Sequence, residues 1–262
     1  MLKERIILIT GASRGIGRAV AKGAAAAGAT VILLGKDIKA LEKVYDEIEE
    51  ARWVDAERSK EGKPAIYPLN LANATPTDYE ALAETIEAKY GRLDGLLHNA
   101  ATFNTLTPLE HYSLPVWYQV MQVNLNAPFL LTHATLRLLK KSADARILFT
   151  SASEDQLGKA YWGAYAVSKE GADGLMKVLA EECEVNTNIR VNSINPGKVA
   201  THLRLLAFPG DPEGHVRHRL PESVVPDYLY WLGPESRHIH GQCITLSAHS
   251  SPLRTAPSSV AG

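Results

Sequence analysis

Short apolar runs alternate along the chain with segments long enough to be helices. Seven of these runs, most of which contain β-branched residues, are predicted as strands, at residues 6–10, 30–35, 65–70, 93–99, 145–151, 189–195 and 242–247. Runs that are apolar throughout suit a sheet covered on both faces, and helices between consecutive strands require right-handed parallel crossovers. The pattern therefore predicts an α/β fold with one doubly wound, seven-stranded parallel sheet and helices on both faces.

The chain is expected to form one domain. It has 262 residues, of which 45% are hydrophobic and 22% are charged, so it can bury a substantial core without a second domain. We expect this domain to span residues 1–248. The polar stretch at 53–64 is interpreted as an exposed loop, and residues 249–262 as a loosely ordered tail.

Composition narrows the classes of partner. The formal net charge is -1 and the basic residues are scattered, which favours a small-molecule partner over nucleic acid or a membrane surface. The chain has 2 cysteines, Cys183 and Cys243, without the spacing of a zinc site or a disulfide framework. The first apolar run is too short for a signal peptide or a membrane span, so we expect a cytoplasmic protein.

A glycine-rich turn follows the first predicted strand. The sequence TGASRGIGRAV places Gly11, Gly15 and Gly17 where a strand leads into a helix. Glycines there let the backbone approach a pyrophosphate, and the following helix directs its free N–H groups towards the anion. A dinucleotide site is predicted at this turn.

The end of the second strand indicates which dinucleotide binds. An acidic residue at this place would bind the ribose 2'-OH of NAD, but the strand ends with Gly35 followed by Lys36. Arg14 can reach the same region and offers a two-pronged contact to a phosphate. NADP(H) is therefore preferred and NAD(H) is the alternative, which would gain support if Asp37 turned inward.

Together these motifs resemble the classical short-chain dehydrogenase/reductase family, over nearly the whole chain. The residues that carry the resemblance are the T-G-x3-G-x-G turn at 10–17, HNAA at 98–101, Asn124, the Tyr165-x3-Lys169 pair and NPGKVAT at 195–201. Each motif is weak alone, but the set in this order is specific. The resemblance implies a Rossmann-type fold, NAD(P)-dependent interconversion of alcohols and carbonyls, and a homodimer or homotetramer.

The resemblance also implies the roles of the catalytic residues. Tyr165 would transfer the proton, and Lys169 would hold the nicotinamide ribose, while Asn124 would carry a water-mediated proton path. A free tyrosine has a pKa of about 10 and needs help to exchange protons near neutral pH. A lysine one helical turn away supplies a positive charge that we expect to lower the tyrosine pKa.

The expected cofactor contacts combine the residue patterns with the resemblance. They are Gly11, Ser13, Arg14, Gly15, Ile16, Gly17, Lys36, Asn70, Leu71, Asn99, Ala100, Tyr165, Lys169, Pro196, Gly197, Val199 and Thr201.

The family has a substrate lid where this chain runs from His202 to Pro221. This segment is basic, which suggests an acidic or phosphorylated substrate. Its histidines lack acidic or cysteine partners at ligand spacing, so we expect no metal site.

One departure from the family pattern affects the chemistry. The usual serine lies thirteen residues before the tyrosine, and that position is Ala152. Ser151 and Ser153 lie on either side, and we predict Ser153 as the substitute because a loop could turn it inward. Smaller departures are Asn70 for the usual aspartate, Ala101 for a glycine, and LSAHS after the last strand.

Three functions are compared. A carbonyl reductase is favoured by Tyr165, Lys169 and Asn124, whereas a dinucleotide-binding sensor or scaffold with weak or no turnover is favoured by Ala152. A methyltransferase is disfavoured by Lys36 at the position where an acid should hold the ribose.

Overall fold

A single seven-stranded parallel sheet organises the molecule. The computed structural model describes residues 2–53, 62–152, 156–210 and 218–246. The sheet has the order β3-β2-β1-β4-β5-β6-β7, and every neighbouring pair of strands is parallel. The strands are β1 Ile6–Thr10, β2 Thr30–Gly35, β3 Ala65–Pro68, β4 Gly95–His98, β5 Ala145–Thr150, β6 Ile189–Asn195 and β7 Cys243–Thr245. The predicted fold class is confirmed.

Helices cover both faces of the sheet. In the described residues they are α1 Gly15–Ala26, α2 Ile38–Trp53, α3 Pro76–Tyr90, α4 Leu114–Met121, α5 Ala127–Leu139, α6 Gly163–Glu184, α7 His202–Ala207 and α8 Val225–Leu232. A π-helical turn at Gln122–Asn126 joins α4 to α5. Helices α3, α5 and α6 pack on one face, and α1, α2 and α8 pack on the other.

The central strand shows why its sequence is apolar at every position. All five residues of β1 are buried. Ile6 and Leu8 belong to one hydrophobic cluster, and Ile7 and Ile9 belong to the cluster on the opposite face. Successive side chains of a strand point to opposite faces, so a strand covered on both sides needs no polar position.

Several strands are shorter than their apolar runs. β4 begins at Gly95, and the N–H of Leu93 before it donates outside the sheet, to Leu138 O at the end of α5, at 3.2 Å. β7 covers only Cys243–Thr245 of the predicted 242–247, and β3 ends at Pro68. An apolar run marks burial, which extends beyond the residues that pair in the sheet.

Some expectations concern residues outside those described. Most of the predicted loop at 53–64, namely residues 54–61, and the whole predicted tail at 249–262 belong to this group. The proposed domain end at residue 248 does as well. Within the described residues, none of the helices has both the length and the apolar character that a membrane crossing requires.

The topology creates a crevice beside β1. The chain moves from β1 outward to β2 and β3, and then returns to β4 on the other side of β1. Connections that leave neighbouring strands in opposite directions open a crevice at the carboxyl ends of those strands, where ligands bind in doubly wound sheets.

Candidate active site

A cleft of about 390 Å³ lies at the carboxyl ends of the strands. The turn after β1 lines one end, and Tyr165 and Lys169 of α6 line the other. The predicted residues that line it are Gly11, Ser13, Arg14, Ile16, Lys36, Asn70, Leu71, Asn99, Ala100, Tyr165, Lys169, Pro196, Gly197, Val199 and Thr201. Gly15, Gly17 and Asn124 are not among the lining residues, and Ser153 lies outside the described residues.

The glycine turn has the shape of an anion cradle. Gly11 and Gly15 have φ angles of 66° and 55°, which glycine adopts without strain. A Cβ atom on Gly17 would lie 2.3 Å from Gly11 O, so α1 can approach the turn this closely only with glycine there. The first turn of α1 contains no acidic residue. Its N–H groups and positive dipole end therefore suit a phosphate.

Two cations, but not Asp37, line the cleft near the end of β2. Arg14 and Lys36 both line the cleft and are exposed, and neither forms an ion pair with a described residue. Asp37 Oδ1 accepts a hydrogen bond from Ala40 N at 3.1 Å, at the start of α2. Asp37 therefore does not turn into the cleft, which removes the objection to a 2'-phosphate.

The loop after β3 borders the cleft next to these cations. Asn70 Oδ1 accepts a hydrogen bond from Ala72 N at 3.2 Å, so the amide oxygen shapes this loop. Leu71 beside it is buried and lines the cleft. An aspartate at position 70 could make the same contact to Ala72, so the departure from the family pattern leaves the loop geometry intact.

Thr10 fastens the β1 turn to the end of β4. Its Oγ1 accepts from Asn99 N at 2.9 Å and from Ala100 N at 3.0 Å, and Asn99 Nδ2 donates to Thr10 O at 3.1 Å. Asn99 thus holds the two sides of the crevice together, a role that the sequence patterns missed. Thr10 could have been found from its position directly before Gly11.

Tyr165 and Lys169 lie one helical turn apart near the start of α6. They are 5% and 4% exposed. Lys169 Nζ donates to Thr150 O at 2.7 Å, and it lies 6.0 Å from the centre of the Tyr165 ring. The ring of Phe103 meets the Tyr165 ring edge-on, with 5.7 Å between their centres. These contacts fix both side chains in the cleft wall.

Burial changes the proton affinity of both groups. It raises the pKa of Tyr165 above its ordinary value of about 10. It lowers the pKa of Lys169 to about 8, while the nearby carboxylate of Asp173 acts in the opposite direction. The direction of the pKa shift of Tyr165 is opposite to the one expected from sequence, because the enclosed ring loses its hydration.

Asn124 lies in the π-helical turn and connects two parts of the site. Its Oδ1 accepts from Thr102 N at 2.8 Å, and its Nδ2 donates to Thr102 O at 3.0 Å and to Ser168 Oγ at 3.1 Å. Ser168 Oγ in turn donates to Tyr165 O at 2.8 Å. The amide therefore ties the loop after β4 to the helix that carries Tyr165.

The serine position differs from the family pattern in a defined way. Ala152 is buried and lines the cleft. The hydroxyl of Ser151 donates to Asp173 Oδ2 on α6. This hydrogen bond to Asp173 directs the Ser151 hydroxyl towards α6. The predicted substitute Ser153 lies outside the described residues, and the buried Gln156, which sequence reasoning missed, also lines the cleft.

The loop after β6 closes the cleft on one side. Gly197 N donates to the side-chain Oδ1 of Asn195, at the end of β6, at 2.9 Å. Thr201 Oγ1 accepts from Arg204 N at 3.4 Å and caps α7. Val199 is buried against the cleft. The residues of this loop that were predicted to contact the cofactor therefore all lie in one wall of the cleft.

The predicted lid is only partly described. His202, Arg204 and Leu206 of α7 line the cleft, and the Arg204 guanidinium lies 4.7 Å from the centre of the Phe208 ring. Residues 211–217 lie outside the described residues. Among the residues that are described, no cluster of three histidine, cysteine or acidic side chains could hold a metal ion.

Comparison with known proteins agrees with the family that the sequence motifs resemble. The family model described as short chain dehydrogenase matches residues 5–208. A relative from Escherichia coli (strain K12), described as the uncharacterized oxidoreductase YciK, is 43% identical over 242 residues, which are 92% of this chain and 91% of the relative.

Two solved structures with bound cofactor are also similar. A short chain dehydrogenase from Shigella flexneri 2a str. 301, complexed with NADP, has a TM-score of 0.85 and 41% identity, over 93% of this chain and 97% of that one. A short chain dehydrogenase from Escherichia coli CFT073, complexed with NADPH, has a TM-score of 0.84 and 43% identity, over 93% and 96% of the two chains.

Proposed function

This chain belongs to the short-chain dehydrogenase family, and we propose that it interconverts a carbonyl group and an alcohol on a small molecule with NADP(H). The proposal is carried by the placement of Tyr165 and Lys169 at one end of a cleft whose other end is a glycine turn and a helix N-terminus. One end is suited to proton transfer and the other to a dinucleotide phosphate.

The residues that would hold the cofactor fit its chemistry. The glycine turn and the start of α1 would bind the pyrophosphate, and Arg14 and Lys36 would bind the 2'-phosphate. Asn70 and Leu71 would contact the adenine end. Similar proteins solved with NADP and NADPH support this choice of dinucleotide.

The other end of the cleft would hold the nicotinamide. The ammonium group of Lys169, which reaches Thr150 O at the carboxyl end of β5, would contact the ribose. Asn99 and Ala100 would border the same region. Pro196, Gly197, Val199 and Thr201 form the wall that would face the nicotinamide ring and its carboxamide. The bound cofactor would supply a hydride to the carbonyl carbon in reduction.

Tyr165 would supply the proton in reduction. Its raised pKa keeps the phenol protonated at neutral pH, which is the form that donates to the carbonyl oxygen. In the reverse direction the phenolate would accept the proton of the alcohol. Proton transfer leaves a negative charge on Tyr165 Oη, so the mechanism needs a nearby positive charge.

Lys169 would provide that charge. With a pKa of about 8, the ammonium is mostly protonated at pH 7 and stabilises the phenolate electrostatically. Asn124 would hold the loop after β4 and α6 in register, and the water-mediated proton path through it stays a prediction.

The substrate is proposed to be a small carbonyl compound or alcohol with an apolar part. Phe103, Leu203 and Leu206 contribute apolar surface to the cleft near Tyr165. His202 and Arg204 add basic character, which supports the expectation of an acidic or phosphorylated group on the substrate.

The second candidate is a dinucleotide-binding sensor or scaffold with weak or no turnover. Ala152 favours it, because a methyl group stands where a hydroxyl would be expected to polarise the substrate oxygen. Family membership and the buried Tyr165 and Lys169 pair favour the enzyme.

The two candidates can be separated by a substrate screen. The protein is mixed with NADPH and a panel of ketones, aldehydes and keto acids, or with NADP+ and the corresponding alcohols, and absorbance at the nicotinamide band is followed. We expect turnover that depends on the added compound. Tight NADPH binding without turnover on any compound of a broad panel would favour the sensor or scaffold.

A further inference from the structure

A buried carboxylate lies one helical turn beyond Lys169. Asp173 and Lys169 are spaced i, i+4 on α6, and they are 6% and 4% exposed. Residues at this spacing share one face of a helix. The hydrogen bond of Lys169 to Thr150 O involves a neutral acceptor and does not balance the ammonium charge. A buried cation is costly unless an opposite charge lies close to it.

The other titratable groups around Lys169 do not provide a negative charge. Burial raises the pKa of Tyr165 and also that of Cys243, which lies beside Asp173, so both groups stay neutral near pH 7. Burial lowers the pKa of His98 on β4 to about 3, so this imidazole is neutral as well. Among the described groups that act on Lys169, Asp173 is therefore the carboxylate that favours its charged form.

Asp173 is itself fixed by contacts from two strands. The hydroxyl of Ser151, directly after β5, donates to its Oδ2, and Cys243 Sγ of β7 lies 3.9 Å from the same oxygen. Its Oδ1 makes no hydrogen bond within the described residues. A donated hydroxyl proton favours the ionised form of a carboxyl group. The side chain is thus held in place behind the reacting groups.

We propose that Asp173 is a positioning residue of the active site, whose carboxylate keeps the Lys169 ammonium charged and holds the Ser151 hydroxyl away from the substrate. The catalytic meaning of this arrangement rests on the proposed function of Lys169. The electrostatic interaction between the two charges, called the pairing below, does not depend on that function and can be measured without a substrate.

The pairing has a consequence for the pH dependence of stability. The folded pKa of Lys169, about 8, lies below the ordinary value of about 10.4 for an unfolded chain. Between these values the unfolded state binds more protons, so the contribution of Lys169 to the free energy of unfolding rises with pH. Removing the Asp173 charge lowers the folded pKa further and moves the start of this rise to lower pH.

The first test compares urea unfolding of the wild type, Asp173→Asn and the control Glu170→Gln from pH 6 to 9.5. Glu170 is an exposed carboxylate on the same helix, next to Lys169 in sequence. We expect the rise in the free energy of unfolding to start at least half a pH unit lower in Asp173→Asn than in the wild type. In Glu170→Gln it should start at the wild-type pH. In a Lys169→Met background, Asp173→Asn should no longer change the shape of the profile.

The same comparison can overturn the proposal. If Asp173→Asn leaves the start of the alkaline rise at the wild-type pH, or moves it no further than Glu170→Gln does, the electrostatic interaction between Asp173 and Lys169 does not exist.

The catalytic part of the proposal has its own readout. With a verified substrate, Asp173→Asn should shift the alkaline limb of the kcat profile to lower pH, whereas Ser151→Ala, which keeps the carboxylate, should leave that limb in place. A shifted stability profile with an unshifted kcat limb would overturn the positioning role and retain the charge pair. Absence of turnover in the wild type would refute the proposed function, while the stability readout stays decisive for the pairing.

Discussion

Two exposed cations at the nucleotide end, Arg14 and Lys36, are the residues that we expect to set the cofactor preference. A 2'-phosphate placed between them would gain charge-assisted hydrogen bonds, and Gly35 contributes no acid that would repel it. Asp37 is held by Ala40 N and cannot take the place of that acid without giving up its contact. We therefore expect side-chain charge to set the proposed preference for NADPH over NADH.

Lys36→Ala is expected to weaken NADPH binding about tenfold and to leave NADH binding nearly unchanged. A hydrogen bond to a charged group contributes ~1.5–3 kcal/mol, and the exposure of Lys36 places the effect at the low end. Fluorescence titration of both cofactors measures this. Lys39→Ala, an exposed lysine of α2 that does not line the cleft, serves as the control. Equal affinity of the wild type for both cofactors would contradict the preference.

Ala152 is the residue that limits the expected chemistry. Ala152→Ser places a hydroxyl on the cleft wall, where it can stabilise charge on the substrate oxygen, so kcat should rise. If Ser153 already fills this role, Ser153→Ala should lower kcat at least tenfold and Ala152→Ser should add little. Steady-state kinetics on a verified substrate measures both, with the exposed Ala160→Ser as control. If neither substitution changed kcat, no hydroxyl group from this loop would contribute to catalysis.

The sequence predicted which residues would react, but not the contacts that hold them. Tyr165 and Lys169 were predictable because their spacing and position match a known motif. Their pKa directions were not, because burial of the Tyr165 ring depends on Phe103 and Trp162 from other segments. Thr10 could have been found from its place directly before Gly11, whereas the contact of Asp173 with Ser151 joins distant segments and carries no local signal.

At the scale of elements, helix α1 and the turn before it form a unit with very little free space. The turn is held to β4 through Thr10, and α1 packs against it through Gly17. The helix places its N-terminus at the cleft and begins after Arg14, whose backbone is extended. A shift of α1 would displace several phosphate donors together.

Gly17→Ala is expected to destabilise the protein by ~1–3 kcal/mol and to weaken cofactor binding more than tenfold. Its Cβ atom would lie 2.3 Å from Gly11 O and 2.5 Å from Asn99 Nδ2, so the helix or the turn must move. Gly174→Ala on α6 is the matched control, because its Cβ atom would have no neighbour within 4 Å. That control should stabilise by up to ~1 kcal/mol. Thermal unfolding and NADPH titration measure both variants.

If Gly17→Ala bound NADPH as the wild type does, the start of α1 would not be the phosphate site. A loss of stability without a loss of affinity for the folded protein would lead to the same conclusion. The result for Gly174→Ala shows how much of any change comes from glycine replacement in a helix as such.

At the scale of the whole molecule, the sheet order explains why distant motifs meet. Residues from the ends of β1, β2, β4, β5 and β6 line one cleft because all strands are parallel and their carboxyl ends share one edge. Alternating apolar runs and helical segments were enough to predict this sheet. They could not give the strand ends, because burial at Leu93 continues beyond the paired residues.

A homodimer or homotetramer stays a prediction for this chain. Large apolar side chains are exposed on neighbouring helices, including Tyr118 of α4 at 67%, Phe129 of α5 at 50% and Val178 of α6 at 58%. Burying such surface between copies is favourable. Sedimentation equilibrium at micromolar concentration should give two or four times the 28.5 kDa chain mass. A single species at the chain mass would contradict the prediction.

Tyr165 is proposed to transfer the proton in an NADPH-linked reduction, and the initial rate of NADPH oxidation by Tyr165→Phe tests this role. Loss of a positioned general acid typically lowers the rate ~10²- to 10⁴-fold. We predict a loss in this range or larger for Tyr165→Phe with NADPH affinity nearly unchanged, and a wild-type rate for Tyr161→Phe, whose side chain is exposed nearby. A Tyr165→Phe enzyme that keeps most of the wild-type rate on a verified substrate would contradict this role.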